Sequence, residues 1–166
     1  MDKRLVMKSS LNHKTIFLLR HSDAEAKGLP GDFERELSLT GKRRAQNLAK
    51  QVSDKIDLDK IYYSSAKRTT QTFTILKFDD VPSINTDELY LAEKNQLTDF
   101  IMDLPDTLQK ILIIGHNNGL SELASYITSD HIQLATCEFI EIELEIDNWK
   151  HLSLGIGLLK RNILPE

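Results

Sequence analysis

Short apolar runs alternate with amphipathic segments along most of this chain, and this alternation limits the possible folds more than any other feature. The apolar runs lie at residues 15–19, 60–63 and 111–114, and a further short extended segment is predicted near residues 83–85. The segments between them repeat apolar residues at intervals of three and four, which is the period of a helix. Strands that alternate with helices are typical of α/β proteins. We therefore predict an α/β fold with a largely parallel sheet.

The last third of the chain has a different period. Ile140, Ile142, Leu144 and Ile146 alternate with glutamates, and a second alternating run follows at residues 152–158. Period two is the pattern of a strand with one buried face, and two such runs in succession predict an antiparallel hairpin. We expect this hairpin to complete one side of the sheet. Its glutamates would then form a surface row that keeps an exposed strand from pairing with another molecule.

The composition excludes several classes of protein. The formal net charge is -4, and the densest basic cluster, residues 42–44, is too short to follow a nucleic-acid backbone. The single cysteine, Cys137, excludes an intramolecular disulfide bond and a zinc site built from several cysteines. No apolar run approaches the roughly 20 residues that cross a bilayer. We therefore expect partners that are neither nucleic acids nor membranes.

The length of 166 residues and the lack of repeats and linkers predict a single domain. We assign this domain to residues 15–166 and treat residues 1–14 as an N-terminal extension. The extension carries positive charge, but its apolar run is much shorter than the one a signal peptide needs. These features favour a cytoplasmic location, and a monomer is the default expectation.

Polar clusters follow three of the four predicted parallel strands. Arg20 and His21 follow the first strand, and Arg68 lies in the first turn of the helix after the second. His116 lies in the sequence Gly-His-Asn-Asn-Gly that follows the most apolar run. In such sheets, ligands bind outside the carboxyl ends of the parallel strands. If the three strands are neighbours, these two arginines and two histidines meet in one small volume.

The four side chains together predict a phosphate pocket. Positive groups in a small volume repel one another unless an anion lies among them, and the planar fork of arginine matches phosphoryl oxygens. His21, at a rigid strand end, suits in-line attack on phosphorus if one ring nitrogen is unprotonated and an acceptor such as a backbone carbonyl orients the other. Arg20, Arg68 and His116 would then stabilise the charge on the phosphoryl oxygens.

Each cluster alone has a simpler explanation. An Arg-His pair after a strand can be an ordinary loop, and residues 68–72 can be an ordinary polar helix start. Residues 115–119 can be a glycine-rich turn, and they lack the G-x-G-x-x-G spacing and the lysine of nucleotide-binding loops. A zinc site built on His21 and His116 has no third ligand placed with them. The remaining histidines are expected at the surface: His13, His131 and His151.

Taken together, four segments resemble the histidine phosphatase superfamily, which has the phosphoglycerate mutase-like fold. LLRHSDAE is similar to its R-H-G motif, and ELSLTGKRRAQNLA to the leucine-serine/threonine-x-x-glycine segment that follows it. SSAKRTTQT resembles the serine-x-x-x-arginine-threonine-x-glutamine-threonine helix start, and IIGHNNGLSELA the second-histidine motif. The small size and the segment DELYLAEKNQLTDFI look most like the SixA-type phosphohistidine phosphatases.

The resemblance implies a three-layer α/β/α sandwich with a mostly parallel central sheet, and no metal or organic cofactor. It implies that His21 is the nucleophile that becomes phosphorylated. Arg20, Arg68 and His116 would complete the phosphate pocket. The chain departs from the family pattern at Ser22, which stands in place of a glycine and is expected to narrow the pocket.

The larger branches of the family have a glutamate that protonates the leaving group, and its place here is open. Aligning the family leucine on Leu89 puts Leu91 where the acid belongs, a shifted register offers Glu88, and Glu93 lies further on. An alkoxide leaves poorly without a proton, whereas the imidazole of a phosphohistidine needs less help. A pocket that lacks a firm donor therefore favours protein phosphohistidine as the substrate.

Two other functions are compatible with the same residues. One is a phosphomonoesterase or mutase that acts on a small phosphorylated metabolite, which a proton donor at Glu88 would favour. The other is a non-catalytic module that binds phosphorylated partners, although binding alone does not require a nucleophile such as His21.

Overall fold

A computed structural model describes residues 13–26, 28–29 and 31–166, and six strands within them form one sheet. The strands are β1 (Lys14–Arg20), β2 (Lys60–Ser64), β3 (Ser83–Thr86), β4 (Lys110–Gly115), β5 (Phe139–Leu144) and β6 (Gly157–Ile163). The helices are α1 (Leu39–Val52), α2 (Lys67–Leu76), α3 (Lys94–Met102) and α4 (Gly119–Thr128). Short 3-10 helices lie at Asp87–Leu89 and Trp149–His151.

The sheet is mostly parallel, with the strand order β3-β2-β4-β1-β5-β6. β4 pairs in parallel with β1 on one side and with β2 on the other, and β2 also pairs in parallel with β3. The two C-terminal strands are antiparallel: β5 to β1, and β6 to β5. The predicted α/β fold with a mostly parallel sheet is confirmed.

Helices cover both faces of the sheet, which explains why its central strands are apolar throughout. In β1, Ile16 and Leu18 belong to the core on the side of α3 and α4, whereas Phe17 and Leu19 belong to the core on the side of α1 and α2. Successive side chains of a strand point to opposite faces, so a strand buried on both sides cannot alternate with polar residues. The result is the predicted three-layer sandwich.

The C-terminal hairpin differs from the sequence-based prediction at its second strand. β6 begins only at Gly157, so most of the predicted run 152–158 lies outside it, and Leu154 and Leu158 are exposed. The preceding segment is held instead by Trp149, which is fully buried and donates its indole Nε1–H to the carbonyl oxygen of Leu108 at 3.1 Å. Because this long-range contact holds Trp149 outside the sheet, the chain rejoins the sheet only at Gly157.

The glutamates of β5 do not lie on an edge strand of the sheet, contrary to expectation. β5 lies between β1 and β6 inside the sheet, and β3 and β6 are the edge strands. Glu141 pairs with Arg161 at 3.2 Å and Glu143 pairs with Lys160 at 3.9 Å, so this row forms cross-strand ion pairs with β6.

The proposed N-terminal extension, residues 1–14, mostly falls outside the described residues, and its separation from a single domain at 15–166 stays a prediction. Lys14 already belongs to β1. Among the described residues, no helix is both long enough and apolar enough to cross a membrane.

Candidate active site

The carboxyl ends of three neighbouring parallel strands bring the predicted residues together. Arg20 at the end of β1 lies opposite Gly115 at the end of β4, and β4 also pairs with β2, which ends at Ser64. An open cavity of about 290 Å³ lies at this edge of the sheet. Its lining includes all four predicted side chains, Arg20, His21, Arg68 and His116, together with Asp32 and Leu91.

His21 lies directly after β1 with one ring nitrogen presented to the cavity side. Its backbone N–H donates to the carbonyl of Gly115 at 3.0 Å, and its Nδ1 lies 2.7 Å from the carbonyl oxygen of Ser22. A carbonyl can only accept, so Nδ1 carries the proton and Nε2 carries the lone pair. Burial, together with the charges of Arg68 and Arg20, lowers the pKa of His21 to about 4. The ring is therefore neutral at pH 7, in the tautomer that attack by Nε2 requires.

His116 lies directly after β4, with its ring centroid 5.1 Å from that of His21. Its Nδ1 lies 3.1 Å from Nη2 of Arg68, and its Nε2 lies 2.8 Å from Oγ of Ser64. Because the guanidinium can only donate, Nδ1 is the acceptor and Nε2 carries the hydrogen. Burial, with the neighbouring His21 and Arg68, lowers the pKa of His116 to about 3. This ring is also neutral at pH 7.

Arg68 joins the two histidines to the loop that follows β1. Its side chain is 2% exposed, and its Nε donates to Nε2 of His21 at 3.1 Å. Nη2 lies within 3.1 Å of His116 and 3.0 Å from Oδ2 of Asp32, while Nη1 donates to the carbonyl oxygen of Asp32 at 2.7 Å. The guanidinium thus lies where a phosphoryl group attached to His21 would have to bind.

Arg20 has an N–H group that is available to an anion. Its Nη1 donates to the carbonyl of Leu134 at 3.0 Å. Its Nε is buried, and of the buried side-chain polar atoms in the described part of the chain it is the one without a hydrogen-bond partner. An unpaired buried donor costs about 1–3 kcal/mol. Burial also lowers the pKa of Arg20. Arg20 therefore lines the cavity with one N–H donor that has no partner.

Asp32 is a cavity residue that the sequence analysis missed. Its carboxylate accepts hydrogen bonds from Arg35 at 3.1 Å, from the hydroxyl of Tyr90 at 2.8 Å and from Arg68. Burial raises the pKa of Asp32, but these donors outweigh it and lower the pKa to about 2. The residue lies in a charged loop without periodicity, so nothing in its spacing indicated a place in the site.

The position expected for a proton donor is occupied by Leu91. Leu91 lines the cavity, is half exposed and has a positive φ of 49°, which is unusual for a side chain of this size. Glu88 and Glu93 are not among the cavity-lining residues. Glu88 lies beside Thr86, and Glu93 caps the N-terminus of α3. Of the three residues considered for the acid position, Leu91 lines the cavity, whereas Glu88 and Glu93 do not. Which of them aligns with the family acid stays a prediction.

Ser22 does not narrow the cavity, contrary to expectation. Its side chain is fully buried, and its Oγ donates to the carbonyl of Gly41 at 2.8 Å. The hydroxymethyl group thus ties the loop after His21 to the first turn of α1.

No group of three or more His, Cys, Asp or Glu side chains in the described residues is arranged to hold a metal ion. The three histidines predicted at the surface, His13, His131 and His151, are exposed.

Comparisons with known proteins agree with this geometry. The family model of the histidine phosphatase superfamily (branch 1) matches residues 16–92. A candidate phosphohistidine phosphatase SixA from Nakamurella multipartitia has a similar structure, with a TM-score of 0.82 and 19% identity over 92% of this chain and 96% of that one. No curated protein matches the sequence.

Two further solved structures are similar to the structure of this chain. A candidate SixA from Agrobacterium tumefaciens matches with a TM-score of 0.79 and 20% identity over 92% of this chain and 98% of that chain. The alpha-ribazole phosphatase from Shigella flexneri matches with a TM-score of 0.68 and 16% identity over 92% and 96%. These identities show a shared fold, while the sequence match covers the segment with His21 and Arg68. Residues 16–92 thus match the histidine phosphatase superfamily (branch 1), and the solved structures share the fold of the whole chain.

Proposed function

We propose that this chain is a SixA-type phosphatase that removes the phosphoryl group from a phosphohistidine side chain of a protein, through a covalent phosphohistidine on His21. The observation that carries the proposal is the contrast between a complete phosphate pocket and a missing proton donor. Nε2 of His21 holds a lone pair beside Arg68 and Arg20, whereas Leu91 occupies the position of the acid.

The carboxyl groups that do line the cavity cannot serve as general acids at neutral pH. Burial raises the pKa of Asp23, but hydrogen bonds from Thr136 and Arg44 outweigh it and lower the pKa. The pKa of Asp32 is lowered to about 2. Both groups are therefore ionised when His21 is neutral, and neither holds a proton for a leaving group.

In the first step, Nε2 of His21 attacks the phosphorus with its lone pair. The bond between phosphorus and the substrate nitrogen breaks, and its electron pair stays on the departing imidazole. Arg68 must leave Nε2 and donate to the phosphoryl oxygens, where the unpaired Nε of Arg20 also binds. The Nδ1–H of His21 stays on the carbonyl of Ser22 and holds the ring in line.

In the second step, water attacks the phosphorus of phospho-His21. The P–N bond breaks, its electron pair returns to Nε2, and the proton lost by the water is taken by the phosphate or by solvent. His21 leaves as a neutral imidazole because Nδ1 keeps its proton on the Ser22 carbonyl. The second step therefore expels a neutral imidazole, and so does the first when the substrate ring carries a proton on its other nitrogen; neutral imidazole is a weak enough base to leave without a general acid. An alkoxide would not leave so easily.

The second candidate is a phosphomonoesterase for a small phosphorylated metabolite. The shared fold with the alpha-ribazole phosphatase from Shigella flexneri favours it. Among the described residues that line the cavity, the carboxyl groups are ionised and Leu91 carries no proton to donate, which speaks against efficient hydrolysis of alkyl phosphates.

A panel assay separates the candidates. We expect the wild-type protein to hydrolyse a phosphohistidine peptide with a higher kcat/KM than a phosphoserine peptide or a sugar phosphate. Rapid quenching with a labelled phosphodonor should trap an acid-labile label on His21, and His21→Ala should abolish both label and turnover. A preference for the sugar phosphate would favour the metabolite phosphatase, and a label retained in His21→Ala would exclude the proposed intermediate.

A further inference from the structure

A carboxylate lies in a cavity that is built to bind an anion. Asp32 lines the cavity and is 30% exposed, and it is ionised at neutral pH. A phosphoryl dianion that enters beside it meets a like charge, which weakens binding. The carboxylate is nevertheless held firmly, because Arg35, Arg68 and Tyr90 all donate to it. When Arg68 turns to the phosphoryl oxygens, this carboxylate loses one of its two cationic partners and can accept another donor.

The position of Asp32 relative to His21 indicates which part of the substrate it meets. Arg68 lies between the two residues, with Nε on His21 and Nη2 on Asp32. His21 is 8% exposed and the side chain of Asp32 is 30% exposed, and both residues line the cavity. In-line attack sends the leaving group away from His21. A leaving group that departs toward the more exposed side of Arg68 would pass Asp32.

Resting on the proposed function, we propose that Asp32 is a specificity-determining residue that accepts a hydrogen bond from the protonated ring nitrogen of the substrate's phosphohistidine. The phosphoryl group of such a substrate is negative, but its imidazole ring can carry a proton on the nitrogen that is not bound to phosphorus. Arg20 and Arg68 bind the negative part, and Asp32 binds the positive part. A phosphoserine or a sugar phosphate has no such cation.

The proton on the ring matters for the chemistry. When His21 attacks, the electron pair of the breaking P–N bond goes to the substrate ring. If the other ring nitrogen holds a proton, the ring departs as neutral imidazole; if not, it departs as imidazolate, a far stronger base and a poorer leaving group. Asp32 stabilises the protonated ring and so keeps the substrate in its reactive form. The carboxylate itself neither gains nor loses a proton.

Substrate binding can exchange one donor of Asp32 for another. In the structure, Oδ2 of Asp32 accepts from Arg68 and from Tyr90. When the phosphoryl oxygens draw Arg68 toward them, Oδ2 loses one of these donors, and a substrate N–H can take its place. The charged and titratable groups that face Asp32 are Arg35, Arg68, Tyr90 and His116, and His116 is neutral at pH 7.

Aromatic rings beside Asp32 suit a flat leaving group. The ring of Tyr90 packs edge-on against Phe33, with centroids 5.0 Å apart, and against His116, with centroids 5.5 Å apart. His116 in turn lies 5.1 Å from His21. This row of rings links His21 to Tyr90, whose hydroxyl donates to Asp32, and its member His116 lines the cavity, where an imidazole ring can pack against it.

The test compares Asp32→Asn with Glu34→Gln, which removes the same charge from an exposed position of the same loop. Three substrates are measured for each protein: a phosphohistidine peptide, N-phosphoimidazole and an aryl phosphate. We expect Asp32→Asn to lower kcat/KM for both imidazole substrates by about tenfold or more, the size of a lost charge-assisted hydrogen bond. Activity on the aryl phosphate should stay or rise, and inhibition by inorganic phosphate should tighten. Glu34→Gln should behave as the wild type.

The outcomes distinguish this inference from the proposed function. Equal losses on imidazole and aryl substrates, with weaker inhibition by inorganic phosphate, would show that Asp32 only positions Arg68 and would overturn the inference. The inference would also be overturned if Asp32→Asn left the ratio of kcat/KM for the imidazole substrates to that for the aryl phosphate unchanged, even if the wild type prefers the phosphohistidine peptide. If the wild type does not prefer that peptide but Asp32→Asn still changes the ratio for N-phosphoimidazole, the proposed function fails and the role of Asp32 stands.

Discussion

The Nε–H of Arg68 donates to Nε2 of His21 across 3.1 Å, so the arginine covers the lone pair that attack on phosphorus requires. The same guanidinium is held by Asp32 through its backbone carbonyl and its carboxylate. A phosphoryl group must therefore displace Arg68 from His21 and attract it to its own oxygens. Binding of substrate and release of the nucleophile are one event in this pocket.

Replacing Arg68 by lysine tests how much this exchange depends on the planar guanidinium. Lysine keeps the charge but cannot contact His21, His116 and Asp32 at once. We expect Arg68→Lys to lower kcat/KM for the phosphohistidine peptide about 100-fold or more, as loss of a preorganised donor does, and to weaken inhibition by inorganic phosphate. Arg35→Lys is the matched control and should lose much less. Similar losses in both variants would contradict the proposed role of Arg68.

Installing an acid at position 91 tests the argument about the leaving group. Leu91→Glu places a carboxyl group at the cavity wall, where general acid catalysis is worth about 10²–10⁴-fold on a poor leaving group. We expect the ratio of kcat/KM for an alkyl phosphate to that for a phosphohistidine peptide to rise at least about tenfold. Leu154→Glu, on the exposed C-terminal segment, is the control. If the ratio is the same in both variants, position 91 does not face the leaving group.

The close contact between α4 and the loop that carries Leu91 predicts a loss of stability in Gly119→Ala. A Cβ at Gly119 would overlap the carbonyl oxygen of Ala92, which is backbone and cannot turn away. We expect a cost of about 1–3 kcal/mol in the free energy of unfolding, measured by urea denaturation. Gly115→Ala is the control, because its Cβ would make only ordinary contacts with the side chain of Leu120. Equal costs would mean that the contact at Ala92 relaxes freely.

Because His21 and His116 are buried, we predict that the free energy of unfolding decreases in acid. Burial lowers the pKa of His21 to about 4 and that of His116 to about 3, both below the ordinary value of 6.5. At a pH between these values and 6.5, the unfolded chain binds more protons than the folded one. The free energy of unfolding therefore has its highest value above about pH 6.5 and decreases as the pH drops toward 4. Urea denaturation at pH 7, 5.5 and 4.5 measures this slope.

Inorganic phosphate should reduce the change in the free energy of unfolding between pH 7 and pH 4.5. An anion in the cavity favours the protonated imidazoles and raises their pKa in the folded protein, and it also stabilises the folded state by binding. We expect acid destabilisation to be smaller in phosphate than in chloride of equal ionic strength. His116→Asn should show a shallower slope than the wild type in chloride. A slope that phosphate does not change would indicate that the anion does not bind beside the histidines.

The parallel strands and their polar ends could be predicted from the sequence because both depend on local features. Apolar runs of strand length alternate with helical periods, and the carboxyl ends of parallel strands share one edge. Arg20, His21 and His116 stand at or directly after such ends, and Arg68 lies in the first turn of the helix after β2, so the four side chains become neighbours once the strands are adjacent. The structure places Arg20, His21, Arg68 and His116 accordingly around one cavity.

Other features depend on contacts between distant parts of the chain, which no local period records. Asp32 meets Arg68 across 36 residues, and Trp149 meets Leu108 across 41 residues, so neither the charge balance of the cavity nor the late start of β6 could be read from spacing. The position of Leu91 depends on the packing of its loop against Gly119. Strand ends follow from periodicity along the chain, whereas loops take the conformation that their long-range hydrogen bonds and close packing select.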